Sequence, residues 1–280
     1  SQYPEFFFYE VDLSLDNVLE KLLQDVEDVL GVSDIWHLCA NSDIKAGSAS
    51  PNVDFKHTFS TTFNILGVAK AVSCKNFYFA SSSAIYGDHG EHPLDENLTV
   101  PRPISNYGAM KLASEALISA YSESSNCRCV IFRFANVIGL PATHGVIHDF
   151  FKKLMSNGTK LNVLGNGDQK KIYLHVDDLI DGMIFLQESN AEGYDIFNIG
   201  PSESLGVTVK EIANEVVAQV SPEAEICYGL SDRGWIGDIP RFNFSTSKLK
   251  NLGWVARYTG QESVSKTIIE LKKQWISRKL

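Results

Sequence analysis

An α/β fold is what the sequence predicts, with its strands in an open parallel sheet. Three observations predict it. Short apolar runs alternate with longer stretches whose apolar residues recur at helical spacing, the pattern of strand-helix-strand units. The chain has 280 residues, 44% of them apolar, enough to bury a sizeable core in one large or two modest domains. An apolar run, Phe77-Tyr78-Phe79-Ala80, also delivers three hydroxyls, Ser81-Ser82-Ser83, at its carboxyl end. In an open parallel sheet that end is where ligands bind.

Residues 5–11 read as a strand, closed by Asp12-Leu13, and residues 16–29 as a helix with apolar Val18, Leu19, Leu22, Leu23 and Val26. Taken alone, Asp12 is a plain N-cap. Residues 33–41, ending Leu38-Cys39-Ala40-Asn41, form a buried strand that runs into a polar loop, and His37 in that setting is a satisfied core histidine. A helix with a mixed apolar face spans 53–71. After the strand at 77–80, a helix opens at Tyr107 and carries Leu112, Leu117, Ile118 and Tyr121. Residues 128–134 form a strand, and residues 144–150 open a helix whose free N–H groups suit a phosphate or a carbonyl. Residues 161–178 read as a strand, a glycine turn and a second strand. A helix at 180–187, a strand at 195–200, a helix at 209–220 and a strand at 225–228 follow. Gly253-Trp254 and a helix at 262–275 close the chain.

Composition excludes several classes. A net charge of −9 argues against a nucleic-acid binder, whose footprint is basic. No apolar run approaches the length of a membrane span, and no secretory leader is expected at the first residues. The five cysteines are scattered, odd in number and without metal-ligand spacing, which predicts reduced thiols in a cytoplasmic protein and no metal centre. Cys127 and Cys129 point to one face of a strand, where packing is their expected role.

Chemistry concentrates at 78–111. Tyr107 and Lys111 in Tyr107-Gly108-Ala109-Met110-Lys111 stand one turn apart on one helix face. A phenol titrates near ~10, so a nearby cation brings Tyr107 toward use as a base at neutral pH. Tyr-x-x-x-Lys by itself is an ordinary exposed pair, and a serine cluster by itself an ordinary turn. Their conjunction, joined by a loop long enough to fold over a site, points to acid-base work.

The order SSSAIYG then YGAMK resembles the extended short-chain dehydrogenase/reductases of the NAD-dependent epimerase/dehydratase type, most closely the archaeal-type UDP-glucose (UDP-galactose) 4-epimerases. The resemblance runs through the whole chain and implies a Rossmann-like doubly wound parallel sheet with a smaller C-terminal α/β substrate lobe. It assigns 1–137 to an NAD-binding domain, with 174–200 returning to it, and 138–173 with 201–280 to a sugar-nucleotide lobe. No glycine-rich G-x-G-x-x-G or G-x-x-G-x-x-G turn occurs in these residues, although the family carries one in its first strand-helix unit. The expectation is a longer protein whose preceding residues supply it.

Residue by residue, the resemblance assigns catalysis to Ser82, Tyr107 and Lys111. Ser82 is found by counting back four from Tyr86, and Ser83 is its fallback. NAD contacts are implied for Asp12 and Leu13 at the adenine, Cys39, Ala40 and Asn41 at the pyrophosphate and ribose, and Thr58, Ser81, Tyr107, Lys111 and Phe134. Many relatives have Asn near position 58, where this sequence has His57-Thr58. UDP-sugar contacts are implied for Ser82, Ser83, Asn136, Gly145, Val146, Leu164, Lys171, Tyr173, Arg233, Asp238 and Phe242. Where most relatives have Arg-Asp, this chain has Lys171-Ile172, which keeps the charge and loses the bidentate fork. Arg233-Gly234-Trp235-Ile236-Gly237-Asp238 is similar to an archaeal-type stretch in which an Arg reaches the diphosphate, and Arg241 adds charge nearby.

Dehydratases of this kind place Asp-Glu directly after the catalytic Ser/Thr, because elimination needs an extra acid and base. Here Ser83 and Ala84 follow, which argues for epimerisation. The implied mechanism has Tyr107 take the proton of the sugar 4-hydroxyl while hydride passes from C4 to NAD; a 4-keto sugar then swings and is reduced on its other face. A large Phe242 implies UDP-glucose and UDP-galactose rather than N-acetyl sugars. Another sugar-nucleotide epimerase or reductase of the family, such as one for UDP-glucuronate, and a non-catalytic sugar-nucleotide-binding relative are the alternatives. Relatives dimerise through the helices that here span 53–71 and 107–121, so a homodimer is expected.

Overall fold

A computed structural model describes residues 6–25, 31–41, 43–90, 92–156, 158–189, 193–203, 205–231 and 243–277. Along them run α1 (Val18–Asp25), β1 (Asp34–His37), α2 (Ile44–Ala49), α3 (Pro51–Asp54), a π-helical segment (Phe55–Ser60), α4 (Thr61–Ala71) and β2 (Asn76–Ala80). Next come a 3₁₀ turn (Ser83–Ile85), β3 (Pro93–Leu94), α5 (Asn106–Ser124), β4 (Arg128–Phe134), β5 (Asn136–Ile138), α6 (Val146–Ser156), β6 (Lys160–Val163), β7 (Lys170–Lys171), β8 (Tyr173–His175) and α7 (Val176–Glu188). β9 (Tyr194–Ile199), β10 (Val207–Thr208), α8 (Val209–Val220), β11 (Glu225–Tyr228), β12 (Asn243–Phe244), α9 (Ser247–Asn251) and α10 (Gly260–Ser277) follow.

The main sheet has the order β1-β2-β4-β9, with β1 and β4 flanking β2 in parallel. Side chains explain the central place of β2 and β4. Phe77, Tyr78 and Phe79 are buried on both faces, as are Cys129, Val130, Ile131 and Phe132 beside them. Continuous apolar runs of this kind belong to strands covered by helices on both sides. Trp36 of β1 stacks on Tyr78 at 4.2 Å between centroids, and Tyr78 lies parallel to Phe132. The result is the predicted α/β fold.

The chain divides into two compact units. The first comprises Ser1–Ile85, Pro103–Phe132 and Asn190–Ile196, the second Tyr86–Arg102, Arg133–Ser189 and Phe197–Leu280. In the first, Val68 and Ala69 of α4, Ile118 of α5 and Val18 of α1 pack on Phe77, Phe79, Cys129 and Ile131. In the second, Phe150, Phe151 and Leu154 of α6 meet Leu161, Val163, Ile212, Val216, Val264 and Ile268. Each Val, Leu, Ile or Phe among them contributes about 1.5–3 kcal/mol by leaving water. Helix α8 begins where Thr208 and Glu211 complete a capping box.

Several sequence expectations are corrected. Residues 6–11 form no strand, and Phe6, Phe7 and Phe8 are 65%, 72% and 78% exposed. No neighbouring strand among the described residues takes their backbone groups, and a run of aromatic residues becomes a strand only where a ladder partner exists. The helix expected at 16–29 appears as α1, and residues 26–30 lie outside the described residues. The single helix expected at 53–71 is interrupted by the π-helical segment, a wide turn that occurs mostly at functional sites. The two strands expected within 161–178 pair with different partners. β6 runs parallel to β11, β7 antiparallel to β10 and β8 parallel to β5. Between them the chain turns through Gly165 and Gly167 at φ +75° and +83°, backbone that favours glycine.

Candidate active site

The site of the first unit is built at the carboxyl end of β2. Ser81 is fully buried, donates its N–H to Phe132 O at 2.8 Å and its hydroxyl to Glu115 Oε1 at 2.5 Å. That commits a hydroxyl expected to face the cofactor to a buried carboxylate of α5. Ser82 follows, and its Oγ accepts from Ala84 N–H at 3.2 Å as the chain enters the 3₁₀ turn that Ser83 opens.

Helix α5 presents Tyr107 and Lys111 to this turn. Ser105 caps it, accepting from Gly108 N–H at 3.1 Å. Gly108 is there for room: a Cβ at that position would overlap Ala84 O and lie 3.2 Å from Pro103 Cβ. Without a side chain the first turn of α5 settles onto the turn that carries Ser82, and the Tyr107 phenol shares a hydrogen bond with Ser82.

Lys111 is 1% exposed. Its Nζ donates to Ala80 O at 2.5 Å, 4.5 Å from the Phe79 centroid and 6.0 Å from that of Tyr107. Burial pulls the ammonium down to about 7, against Cys39 and Glu115, which favour its charge. Tyr107 moves the other way. Burial pushes it up to about 12, the Ser82 hydrogen bond opposing and Asp54 adding to the rise. The downward shift that helical spacing predicts is therefore reversed in the free chain, because desolvation of the phenolate outweighs the Ser82 hydrogen bond, while the hydrogen bond of Lys111 goes to Ala80 O.

The segment after β1 forms the next wall. Asn41 donates its backbone N–H to Thr58 Oγ1 at 3.2 Å and its Nδ2 to Asp43 O at 2.8 Å and Asp54 Oδ1 at 2.7 Å. Thr58, where many relatives carry Asn, is buried in the π-helical segment and anchors this loop. Ala40 is half-buried and Cys39 exposed, within electrostatic reach of Lys111 and Asp12. Asp12 accepts from Ser14 N at 2.9 Å and Ser14 Oγ at 2.7 Å, which holds its carboxyl below the usual range. Leu13 packs against the core and accepts at its carbonyl from Asn64 Nδ2 at 3.0 Å.

In the second unit, Phe134 ends β4 half-buried, and Asn136 stands opposite Tyr173 in the β5-β8 pair. Asn136 Nδ2 donates to Ile172 O at 3.2 Å. Gly145, at φ +99°, precedes α6 and accepts from Asp149 N–H at 2.9 Å, with Val146 the first residue of the helix. Leu164 is exposed beyond β6, and Lys171 lies on β7. Tyr173 is buried in the apolar cluster with Ile147 and Phe150. Arg233, Asp238, Arg241 and Phe242 lie outside the described residues.

Two carboxyls escaped sequence reasoning. Glu115 sits on α5 one turn beyond Lys111, where the spacing alone signals it. Asp54 carries no such signal, since an acid in a first helical turn reads as a cap. Among the described residues no group of His, Cys, Asp or Glu is arranged to hold a metal, and no helix is long and apolar enough to cross a membrane. Donors and walls that would fit a nicotinamide dinucleotide are present: residues 39–41 at the end of one parallel strand, Ser82 and Tyr107 at the next, and a buried ammonium behind them.

The sequence profile of the NAD dependent epimerase/dehydratase family matches residues 2–200. The chain belongs to that family, whose cofactor is NAD. It is 26% identical over 275 residues to a Methanocaldococcus jannaschii protein named, provisionally, UDP-glucose 4-epimerase, covering 96% of this chain and 85% of that one. A solved UDP-galactose 4-epimerase superposes at TM-score 0.80 with 30% identity, over 94% of this chain and 82% of that one. The UDP-glucose 4-epimerase of Thermus thermophilus, solved with NAD, gives 0.81 at 26% identity, over 95% and 84%.

Proposed function

We propose that the chain is a UDP-hexose 4-epimerase that interconverts UDP-glucose and UDP-galactose through a transient 4-keto sugar. The observation that carries this reading is the Ser82, Tyr107 and Lys111 cluster at the end of β2, followed by Ser83-Ala84. No acid pair stands after Ser82 to expel water, which disfavours a dehydratase. When bound, NAD supplies the hydride acceptor and donor. The remaining work falls to this chain. Tyr107 takes the proton of the 4-hydroxyl, Ser82 holds the phenol oxygen, and Lys111 braces the end of β2 through Ala80 O. Tyr107 at about 12 reaches phenolate only when positive charge is added beside it.

Residues 39–41, with Asp12, Leu13 and Thr58, hold the dinucleotide in this reading. Asn136, Gly145, Val146, Leu164 and Lys171, with Arg233, Asp238 and Arg241, hold the UDP. Phe242 limits the sugar to hexoses without an N-acetyl group. Phe55 and Phe59 stack at 5.8 Å, and with Phe63 they make an aromatic stripe on which Phe55 and Phe63 are 54% and 61% exposed. An exposed stripe of this kind supports a homodimer through 53–71 and 107–121. Five free cysteines favour a reducing compartment, the cytoplasm.

Mass spectrometry of the purified full-length protein should find NAD(H), and a coupled assay should convert UDP-galactose to UDP-glucose, with UDP-glucuronate as a second substrate arm. Tyr107→Phe should abolish turnover and leave UDP binding intact. Turnover retained by that variant, or a protein that binds no NAD(H), would overturn the reading.

A further inference from the structure

Glu115 of α5 is 2% exposed, one turn beyond Lys111 and outside the acid-base set of Ser82, Tyr107 and Lys111. A buried carboxylate is rare and destabilises a fold unless it is paired and hydrogen-bonded. Its Oε1 accepts from the Ser81 hydroxyl at 2.5 Å, and the Tyr194 hydroxyl donates to its main-chain O at 3.5 Å. Lys111, on the same helix face, donates to Ala80 O at 2.5 Å. Two side chains one turn apart on α5 thus grip two consecutive residues at the end of β2, the cation on a backbone acceptor and the anion on a hydroxyl donor. The next residue is Ser82. Its backbone continues from Ser81, whose own N–H is tied to β4 through Phe132 O at 2.8 Å. With main chain and side chain both anchored, Ser81 fixes where Ser82 begins.

We propose that Glu115 is a positioning residue of this site, which sets the place of Ser82 by holding the Ser81 hydroxyl. The proposal deepens the epimerase reading and rests on it for the role of Ser82. Stability alone does not call for a carboxylate here, since replacing a buried charged group and its partner by well-packed apolar residues is often neutral or stabilising. An apolar side chain cannot orient a hydroxyl. The route runs from Glu115 to Ser81 by a hydrogen bond, from Ser81 to Ser82 along the chain, and from Ser82 to the Tyr107 phenol by the hydrogen bond they share. Tyr107 belongs to the same helix, about two turns before Glu115. Helix α5 therefore holds both partners of that last bond, Tyr107 directly and Ser82 through Ser81. A misplacement of about 1 Å at such a site can cost on the order of a hundredfold in rate.

Kinetics and stability together separate this role from a structural one. In the full-length holoprotein, Ser81→Ala and Glu115→Leu should each lower kcat for UDP-galactose about tenfold, with KM and NAD(H) content unchanged. The double variant should be no slower than either single, because both break one link. Its urea midpoint should equal or exceed the parent's. Glu115→Gln keeps an acceptor for Ser81 and should hold kcat within about threefold of the parent's. Losses that multiply in the double variant, a kcat that falls only in step with the urea midpoint, or a Glu115→Gln as slow as Glu115→Leu overturns the proposal. Ser81→Ala removes a single hydroxyl, so a parental kcat in that variant overturns it even where Glu115→Leu fails to fold. A second arm needs no turnover. With 13C at tyrosine Cζ, the Tyr107 resonance is assigned by its loss in Tyr107→Phe, and Ser81→Ala should displace it in the same direction as Ser82→Ala. A resonance unmoved by Ser81→Ala also refutes the proposal. A parent protein that turns over no sugar nucleotide refutes only the epimerase reading, and the resonance then decides the role of Glu115.

Discussion

Lys111→Met should abolish turnover and, at neutral pH and below, make the fold more stable. Burial takes the ammonium from the lysine value of ~10.4 to about 7, a difference of roughly 3.5 pH units, or about 5 kcal/mol at ~1.4 kcal/mol per unit. Between the two values the unfolded chain holds the proton that the folded chain has released, so stability rises with pH from about 7 to ~10.4. Below about 7 both states are protonated and the whole penalty applies. Methionine fills a similar volume without charge. Against this gain, Ala80 O loses its donor, a cost of about 1–3 kcal/mol for a buried acceptor. Glu115 also loses the nearby cation. The net expectation is on the order of 2 kcal/mol of stabilisation at pH 6, disappearing or changing sign near pH 10. Urea unfolding followed by circular dichroism at the two pH values measures it as a shift in midpoint at constant slope. A variant less stable than the parent at pH 6, or a difference equal at both pH values, would refute the reasoning.

Gly108→Ala forces a Cβ onto Ala84 O, a backbone atom that cannot swing away. It should cost about 2 kcal/mol in thermal unfolding and lower kcat at least tenfold with little change in UDP affinity. Phe55→Ser with Phe63→Ser should convert a dimer to monomers in sedimentation velocity, and a sedimentation coefficient the same as the parent's would rule out that face. Phe242→Cys should raise turnover of UDP-N-acetylglucosamine relative to UDP-glucose, and an unchanged ratio would remove Phe242 from sugar selection.

Legibility followed the range of the interaction. β2 and β4 announced themselves because strands covered on both faces need apolar residues at every position, and Phe77-Tyr78-Phe79 meets that condition. Phe6-Phe7-Phe8 looks the same in sequence and stands in water. What separates the two runs is a neighbouring strand, a property of other parts of the chain. The turn through Gly165 and Gly167 was visible as a turn. Its consequence, delivery of β6 and β7 to different partners, depends on β10 and β11 and could not be read locally. β3, β5, β10 and β12, at two or three residues each, are too short for any periodicity to register.

The site divides along the same line. Spacing placed Tyr107 and Lys111 on one face of α5, and it placed Ser82 at a strand end. Both are properties of a few adjacent residues. Spacing also suggested that Lys111 draws Tyr107 toward neutrality, and there it failed, because ionisation depends on what surrounds the pair. Burial against Phe79 pulls the Lys111 ammonium down to about 7, even though its Nζ donates a hydrogen bond to Ala80 O. Asp54, some fifty residues away in sequence, adds to the rise of Tyr107 to about 12. A phenol at that value, beside a lysine poised near neutrality, is held in reserve in the free chain. Electrostatic changes that accompany ligand binding are what can bring it into play.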